Sequence, residues 1–204
     1  MAIMLFALLP AAYAQQSKPP KMNMDIVLTA LNKGDKTAAI RYLEPLAKRG
    51  NADAQFMLVS VLQGVDQKQA IEWLIAAAKN KHPAACHVLG SMYMEGNGMP
   101  QDKAQGEKFL RCGADGGEAG AQLALGMVYR NGSGIGGVRD DEKAAALFKK
   151  AADKGNPEAQ YRLAEMYRYG YGVKRDPAEA KRLLRAASVQ GHMEANKMLV
   201  EMGD

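Results

Sequence analysis

A fixed internal period runs through this 204-residue chain, and such a period restricts a chain to stacked repeats more tightly than any other feature of it. Small or apolar residues that open one type of helix stand at Met24, Ala54, Ala85, Ala121, Ala159 and Ala195, separated by 30, 31, 36, 38 and 36 residues. A second register stands at Ala39, Ala70, Gly106, Ala144 and Ala180, and each of its members lies 15 residues before the next member of the first. Chance does not keep that offset through five copies.

Both registers predict helices. After the first-type anchors, apolar residues recur at plus four and plus eight, as in Leu58 and Leu62, Leu89 and Tyr93, Leu125 and Tyr129, and Leu163 and Tyr167, which is one face of an A helix. After the second-type anchors they recur at plus three, four, seven and eight, as in Trp73, Leu74, Ala77 and Ala78. These are B helices whose small residues admit close neighbours. Abundant Ala, Leu, Met, Lys, Glu and Gln beside sparse Ile, Thr and aromatic residues favour helix in the same direction.

The helix ends agree with the period. Asp66, Asp102, Asp140 and Asp176 each stand four residues before a B anchor, where a carboxylate caps free N–H groups. Asn156-Pro157 opens an A helix in like manner. Gly50, Gly117, Gly155 and Gly191 follow B helices, as a left-handed C-terminal cap requires. The loops Gly96-Asn97-Gly98, Gly132-Ser133-Gly134 and Gly170-Tyr171-Gly172 lie between A and B helices without strand context, so they are expected to be turn glycines with positive φ rather than phosphate cradles. The loop from Asn131 to Val138 is the longest and richest in Gly, and is expected to be mobile or to touch a partner.

The chain is therefore expected to be all-α: a solenoid of about five antiparallel helix pairs over residues 22–204, closed by a helix from about Met193 to Met202, with one hydrophobic core running through the stack. Residues 1–14, MAIMLFALLPAAYA, carry no charge and end in Ala12-Tyr13-Ala14, which reads as a cleaved secretory signal. As a helix that stretch is about 21 Å long, short of a hydrocarbon core of about 30 Å, so no stable membrane insertion is expected after cleavage. Residues 15–21 form a flexible lead-in, and a periplasmic or secreted location follows. The net charge of +5 is spread among acids without a basic stripe, and nucleic acid is not an expected partner.

The clearest copy of the repeat runs Glu158-Ala159-Gln160-Tyr161-Arg162-Leu163-Ala164-Glu165-Met166-Tyr167, then Gly170-Tyr171-Gly172-Val173, Asp176, Ala180 and Ala186-Ala187 to Gly191. It resembles the Sel-like repeat family, a tetratricopeptide-related group of solenoids. Ala121 to Gly155 and Ala85 to Gly117 resemble it too, while the shorter units before Ala85 lack the Gly-x-Gly loop and look more like plain tetratricopeptide units. The resemblance implies a right-handed superhelix whose A helices line a concave groove for a peptide or protein partner. It also implies an adaptor role in an exported bacterial protein. Cysteine-rich relatives linked to penicillin binding and β-lactamase activity supply an alternative, an envelope hydrolase.

Nothing in the residues supports catalysis directly. No Ser-x-x-Lys, His-Glu-x-x-His or Gly-x-Ser-x-Gly occurs, and His82, His87 and His192 are scattered. No metal, cofactor or catalytic residue is assigned. Cys86 opens an A helix and Cys112 lies near the end of the following B helix, ends that meet in an antiparallel hairpin. An oxidising compartment lets them pair, while Cys112, at plus six from Gly106, turns away from the core face. The sequence leaves both states open.

The partner-binding candidates lie on the A-helix face opposite the core, at plus two, six and nine from each anchor: Phe56, His87, Ser91, Met94, Met127, Arg130, Tyr161, Glu165 and Arg168. A merely solvated face should not hold Phe, Tyr and two Met. Two roles compete for them, partner contact and packing between repeats.

Overall fold

The computed structural model describes residues 22–203, and the expected signal segment and lead-in lie outside the described residues. Within them the chain is helical throughout, with no strand: α1 Met24–Asn32, α2 Lys36–Lys48, α3 Ala52–Leu62, α4 Gln67–Lys79, α5 Pro83–Glu95, α6 Lys103–Asp115, α7 Ala119–Asn131, α8 Asp141–Asp153, α9 Pro157–Tyr169, α10 Pro177–Val189 and α11 Met193–Glu201. Each helix packs on its chain neighbours, so five hairpins, α1–α2 through α9–α10, stack in one row, and α11 packs on α10. The odd-numbered helices are the A helices and the even-numbered ones the B helices.

Local chemistry sets these boundaries with little ambiguity. All four expected Asp caps accept a backbone N–H, and Asp35 does the same for α2. Asn51 and Asn156 cap α3 and α9 through their side-chain oxygens. His82 and His192 cap α5 and α11 through Nδ1, which accepts from the Ala85 and Ala195 N–H groups at 3.2 Å. Gly50, Gly117, Gly155 and Gly191 turn four of the five B helices into the next A helix at φ between 82° and 87°.

The anchors from the second repeat on are buried as the period requires: Ala54, Ala85, Ala121, Ala159 and Ala195 are fully inaccessible, as are Ala39, Ala144 and Ala180. The expected anchor Met24 is instead exposed, and Val27 is the buried residue of α1. The expectation of one continuous core is corrected. Buried residues form separate clusters, from Val27 to Ala70, Leu74 to Leu89, Leu110 to Val128 and Ala144 to Leu199. The anchors are too small to reach across a junction, so half-buried side chains bridge instead. Val59 touches the first two clusters and Tyr129 the last two.

Glycine replaces alanine where a large side chain crosses the seam. A Cβ on Gly126 would stand 2.5 Å from Cε1 of the fully buried Phe148, and one on Gly106 would meet Met94 at 2.7 Å. The loop glycines follow expectation except Gly134, which is absent from the residues at positive φ. There the requirement is space, because Gly134 lies against Glu107 and Val128. The buried Glu107 carboxylate accepts from the Ile135 N–H at 2.9 Å and from Arg111 at 2.7 Å. The long loop is thereby pinned to α6, while Ile135 and Val138 stay exposed.

Candidate functional site

The nine A-face residues divide by position along the helix. Those at plus two hold neighbouring repeats together. Phe56 of α3 stacks on the His82 cap of α5, ring centroids 4.4 Å apart, and Tyr161 of α9 stacks on the His192 cap of α11 at 4.7 Å. His87 of α5 fills the space over Gly120 at the start of α7. Met94 instead packs within its own hairpin, into the gap left by Gly106 of α6. Arg168 reaches forward to Glu201 of α11 at 3.1 Å. Ser91 is half-buried on the same face.

The remaining three, Met127, Arg130 and Glu165, meet in one cleft of about 450 Å³ together with Asn131, Arg139, Phe148 and Arg162. Its guanidinium groups are held in place by carboxylates. Asp141, at the first turn of α8, takes Arg139 in a two-pronged contact at 2.8 and 2.7 Å and Arg130 at 3.1 Å. The Arg139 hydrogen bond, helped by the nearby Arg130, holds the Asp141 carboxyl below its ordinary range. The Tyr171 ring lies under both guanidinium groups, 4.5 Å from Arg130 and 5.5 Å from Arg139. On the α9 side, Arg162 bridges Glu158 at 2.7 Å and Glu165 at 3.1 Å. The Tyr161 hydroxyl donates to Glu165 at 3.4 Å. Oriented, mutually paired charges beside the Met127 side chain suit a partner segment that carries both polar and apolar groups.

Arg139 and Arg162 are cleft residues that the sequence reading missed. Arg162 sits at plus three from Ala159, and Arg139 lies in the loop before α8, so neither shares the plus two, six and nine spacing. A second omission is the row at plus one. The buried Gln55, Gln122 and Gln160 each donate through Nε2 to a carbonyl at the end of the preceding B helix, Ala47, Ala114 and Ala152, at 2.9, 3.2 and 3.4 Å. Gln55 Oε1 then accepts from Asn80, and Gln160 Oε1 from Gln190, so these two amides also tie their A helices to the ends of their own B helices, while Gln122 Oε1 makes no such bond. The signal was the constant offset of Gln from the anchor.

Cys86 occupies the corresponding position in α5, and the structure joins it to Cys112 with a Cα–Cα distance of 5.9 Å. Its Sγ stands 3.4 Å from the Ala78 carbonyl, where the other repeats place a glutamine amide. The disulfide thus replaces a polar bridge with a covalent one. Gly113 and Gly116 make the approach possible: a Cβ on either would come within about 3 Å of Ala121 or Pro83. Among the described residues, no group of His, Cys, Asp and Glu side chains is arranged to hold a metal ion, and no helix is long and apolar enough to cross a membrane.

Comparison with known proteins places this architecture. The Sel1 repeat profile matches residues 31–51, 59–82, 83–118, 119–156 and 157–192, the short units before Ala85 included. A Sel1 repeat protein from Oxalobacter formigenes, known from its crystal structure, superimposes with a TM-score of 0.70 at 26% identity, over 84% of this chain and 71% of that one. The alginate biosynthesis protein AlgK of Azotobacter vinelandii is 35% identical over 65% of this chain and 27% of its own length. The exopolysaccharide production negative regulator of Rhizobium leguminosarum bv. viciae is 31% identical over 62% of this chain and 52% of its own length. This chain therefore spans from about a quarter to about half of those two relatives. With its repeats matched along most of its length, the chain belongs to the Sel1 repeat family.

Proposed function

We propose that this protein is an exported interaction module of the bacterial envelope that holds an extended segment of a partner protein along the A-helix face. The Sel1 repeat fold is typically a non-catalytic scaffold, and Sel1 repeats mediate protein–protein interaction. The cleft of Met127, Arg130, Arg139, Arg162 and Glu165 carries the reading. Its charged groups are oriented before any partner arrives, which lowers the ordering cost of binding, and with Arg130, Arg162 and Glu165 the cleft presents both signs of charge to the incoming segment. Relatives named for alginate biosynthesis and for exopolysaccharide production support an envelope setting. The Cys86–Cys112 bond supports export, since disulfides persist in oxidising compartments.

A photo-crosslinking residue at Ser91 or Met127, compared with one at Lys150 on a B helix, tests the site in cells. The A-face positions should give a shared adduct that Lys150 does not, and Arg130→Glu should abolish it while leaving helical content intact. Identical adducts from all three positions would overturn the reading. Mass spectrometry of the mature N-terminus tests export directly.

A further inference from the structure

The chain departs from its own repeat at two nearby places. In four B-to-A turns the residue after the helix cap is Gly50, Gly117, Gly155 or Gly191, whereas in the turn between α4 and α5 it is Lys81. Lys81 adopts φ 61° and is the one non-glycine residue at positive φ among those described. It makes the same turn bonds as the glycines, its N–H donating to the Ala78 carbonyl at 3.0 Å and that of His82 to Ala77 at 3.0 Å. A Cβ is disfavoured in that region, and glycine would serve the turn better. Turn geometry therefore does not account for the lysine. The second departure, five residues on, is Cys86 in the glutamine position.

Lys81 and the disulfide partner Cys112 line one cleft of about 570 Å³ between α4 and α6, over α5. Its floor is apolar, with Leu89, Tyr93 and Phe109. The Tyr93 and Phe109 rings lie nearly parallel, 5° apart in plane at 6.0 Å, and Lys108 reaches over Phe109 at 5.8 Å. Lys79, Lys81 and Lys108 stand at the mouth, no acidic residue lines the cleft, and among the described residues none of these ammonium groups has an ion-pair partner. The α7–α9 cleft differs, because its guanidinium groups are already matched by carboxylates. The disulfide fixes α6 against α5, so the floor keeps its shape without a ligand.

We propose that this second cleft, on the B-helix side, binds a small organic anion: a carboxylate on an aromatic or branched aliphatic body. The volume falls in the ordinary range for small-molecule sites, about 300–1,000 Å³. Three unpaired cations at the mouth select negative charge, and the ring-lined floor takes the apolar body. Placing a lysine in the left-handed turn brings its charge to the mouth, and the cost in backbone conformation is then offset by a bound anion. The proposal is independent of the A-face reading.

Naphthalene-1-carboxylate and the neutral naphthalene-1-methanol test it, titrated into the intact oxidised protein by calorimetry with amide shifts recorded by NMR. The acid should bind about tenfold more tightly than the alcohol, lose affinity as salt rises, and move the amides of residues 79–81 and 108–112. Lys81→Gly should raise the melting temperature and weaken acid binding about threefold or more while leaving the alcohol unaffected. Lys108→Gln, on regular helix, should weaken the acid similarly at an unchanged melting temperature. Equal affinity for the two probes, shifts confined to other residues, or undiminished acid binding by Lys81→Gly would overturn the proposal.

Discussion

The His192 imidazole lies flat on the Tyr161 ring, and its two nitrogens face opposite tasks: Nδ1 caps α11 through Ala195, and Nε2 meets Glu158 of α9 at 2.8 Å. One side chain therefore terminates a helix and fastens it to the repeat behind. Losing the cap costs about 1 kcal/mol and losing the stack about 0.5–1.5 kcal/mol. Because α11 packs chiefly on α10 and is tied to α9 through this side chain and the Arg168–Glu201 pair, His192→Ala should open it locally. Amide exchange should quicken over residues 193–202 and stay unchanged in α5 to α8, with His192→Asn, which keeps a cap, intermediate. Uniform quickening throughout the chain would refute a local clasp.

His82 performs the same task between α3 and α5, which makes stability depend on pH. Burial lowers its pKa, against the opposing pull of Asp53 and Glu118, and burial lowers that of His87 against Glu118. The folded protein thus takes up protons less readily than the unfolded chain, whose histidines titrate near 6.5. Their contribution is complete above that value and is lost as pH falls from it toward the lower folded values. Asp141 acts in a separate window. Its lowered pKa gives stability present above the unfolded value of 3.8 and lost only as pH falls through the still lower folded one. The urea midpoint should therefore fall between pH 7.5 and 5.5, and His82→Asn with His87→Gln should remove most of that slope. An unchanged slope in the double variant would rule out these histidines.

Reduction should destabilise the central hairpin. A cross-link spanning 26 residues restricts the unfolded chain by about 3 kcal/mol in the loop-entropy picture. Cys86→Ser with Cys112→Ser should lower stability by roughly that amount, with the loss centred on α5 and α6 in exchange experiments. Cys86→Gln in the Cys112→Ser background should recover about 1 kcal/mol, since a glutamine amide there can donate to Ala78 as Gln55 does to Ala47. Equal stability with and without a reductant would contradict the bond.

The repeat made the fold legible, because every first-type anchor from Ala54 to Ala195 is a buried alanine whose spacing follows from helix length and turn length alone. The caps were readable for the same reason: Asp66 and Asn156 act through bonds to residues three positions away. Histidine caps were not foreseen, because their bonds to Ala85 and Ala195 are equally local but histidine is not among the preferred capping residues. The candidate face fared differently. Helical periodicity picks out a face but not whether the next repeat covers it, so Phe56, Met94 and Tyr161 were grouped with Met127 and Arg130. Arg139 is invisible to such reasoning, because its place in the cleft is set by the path of a loop and by a carboxylate on α8.

Gly126 offers the sharpest test of how the stack is packed, because two well-measured effects oppose each other there. Alanine in place of glycine inside a helix gains about 0.8–1 kcal/mol. The added methyl would, however, stand 2.5 and 2.7 Å from Cε1 and Cδ1 of Phe148, a ring with no exposed surface. Overpacking of that kind costs about 1–3 kcal/mol, so Gly126→Ala should be net destabilising by about 1 kcal/mol despite the better helix former. Phe148→Leu alone should also destabilise, through the volume it leaves empty. Combined, the two changes should cost clearly less than their sum, because the leucine vacates the space the methyl needs. Urea denaturation of the four proteins in this cycle measures the coupling. Strict additivity would mean that α7 and α8 do not meet through this pair, and that the glycine is there for some reason other than the ring.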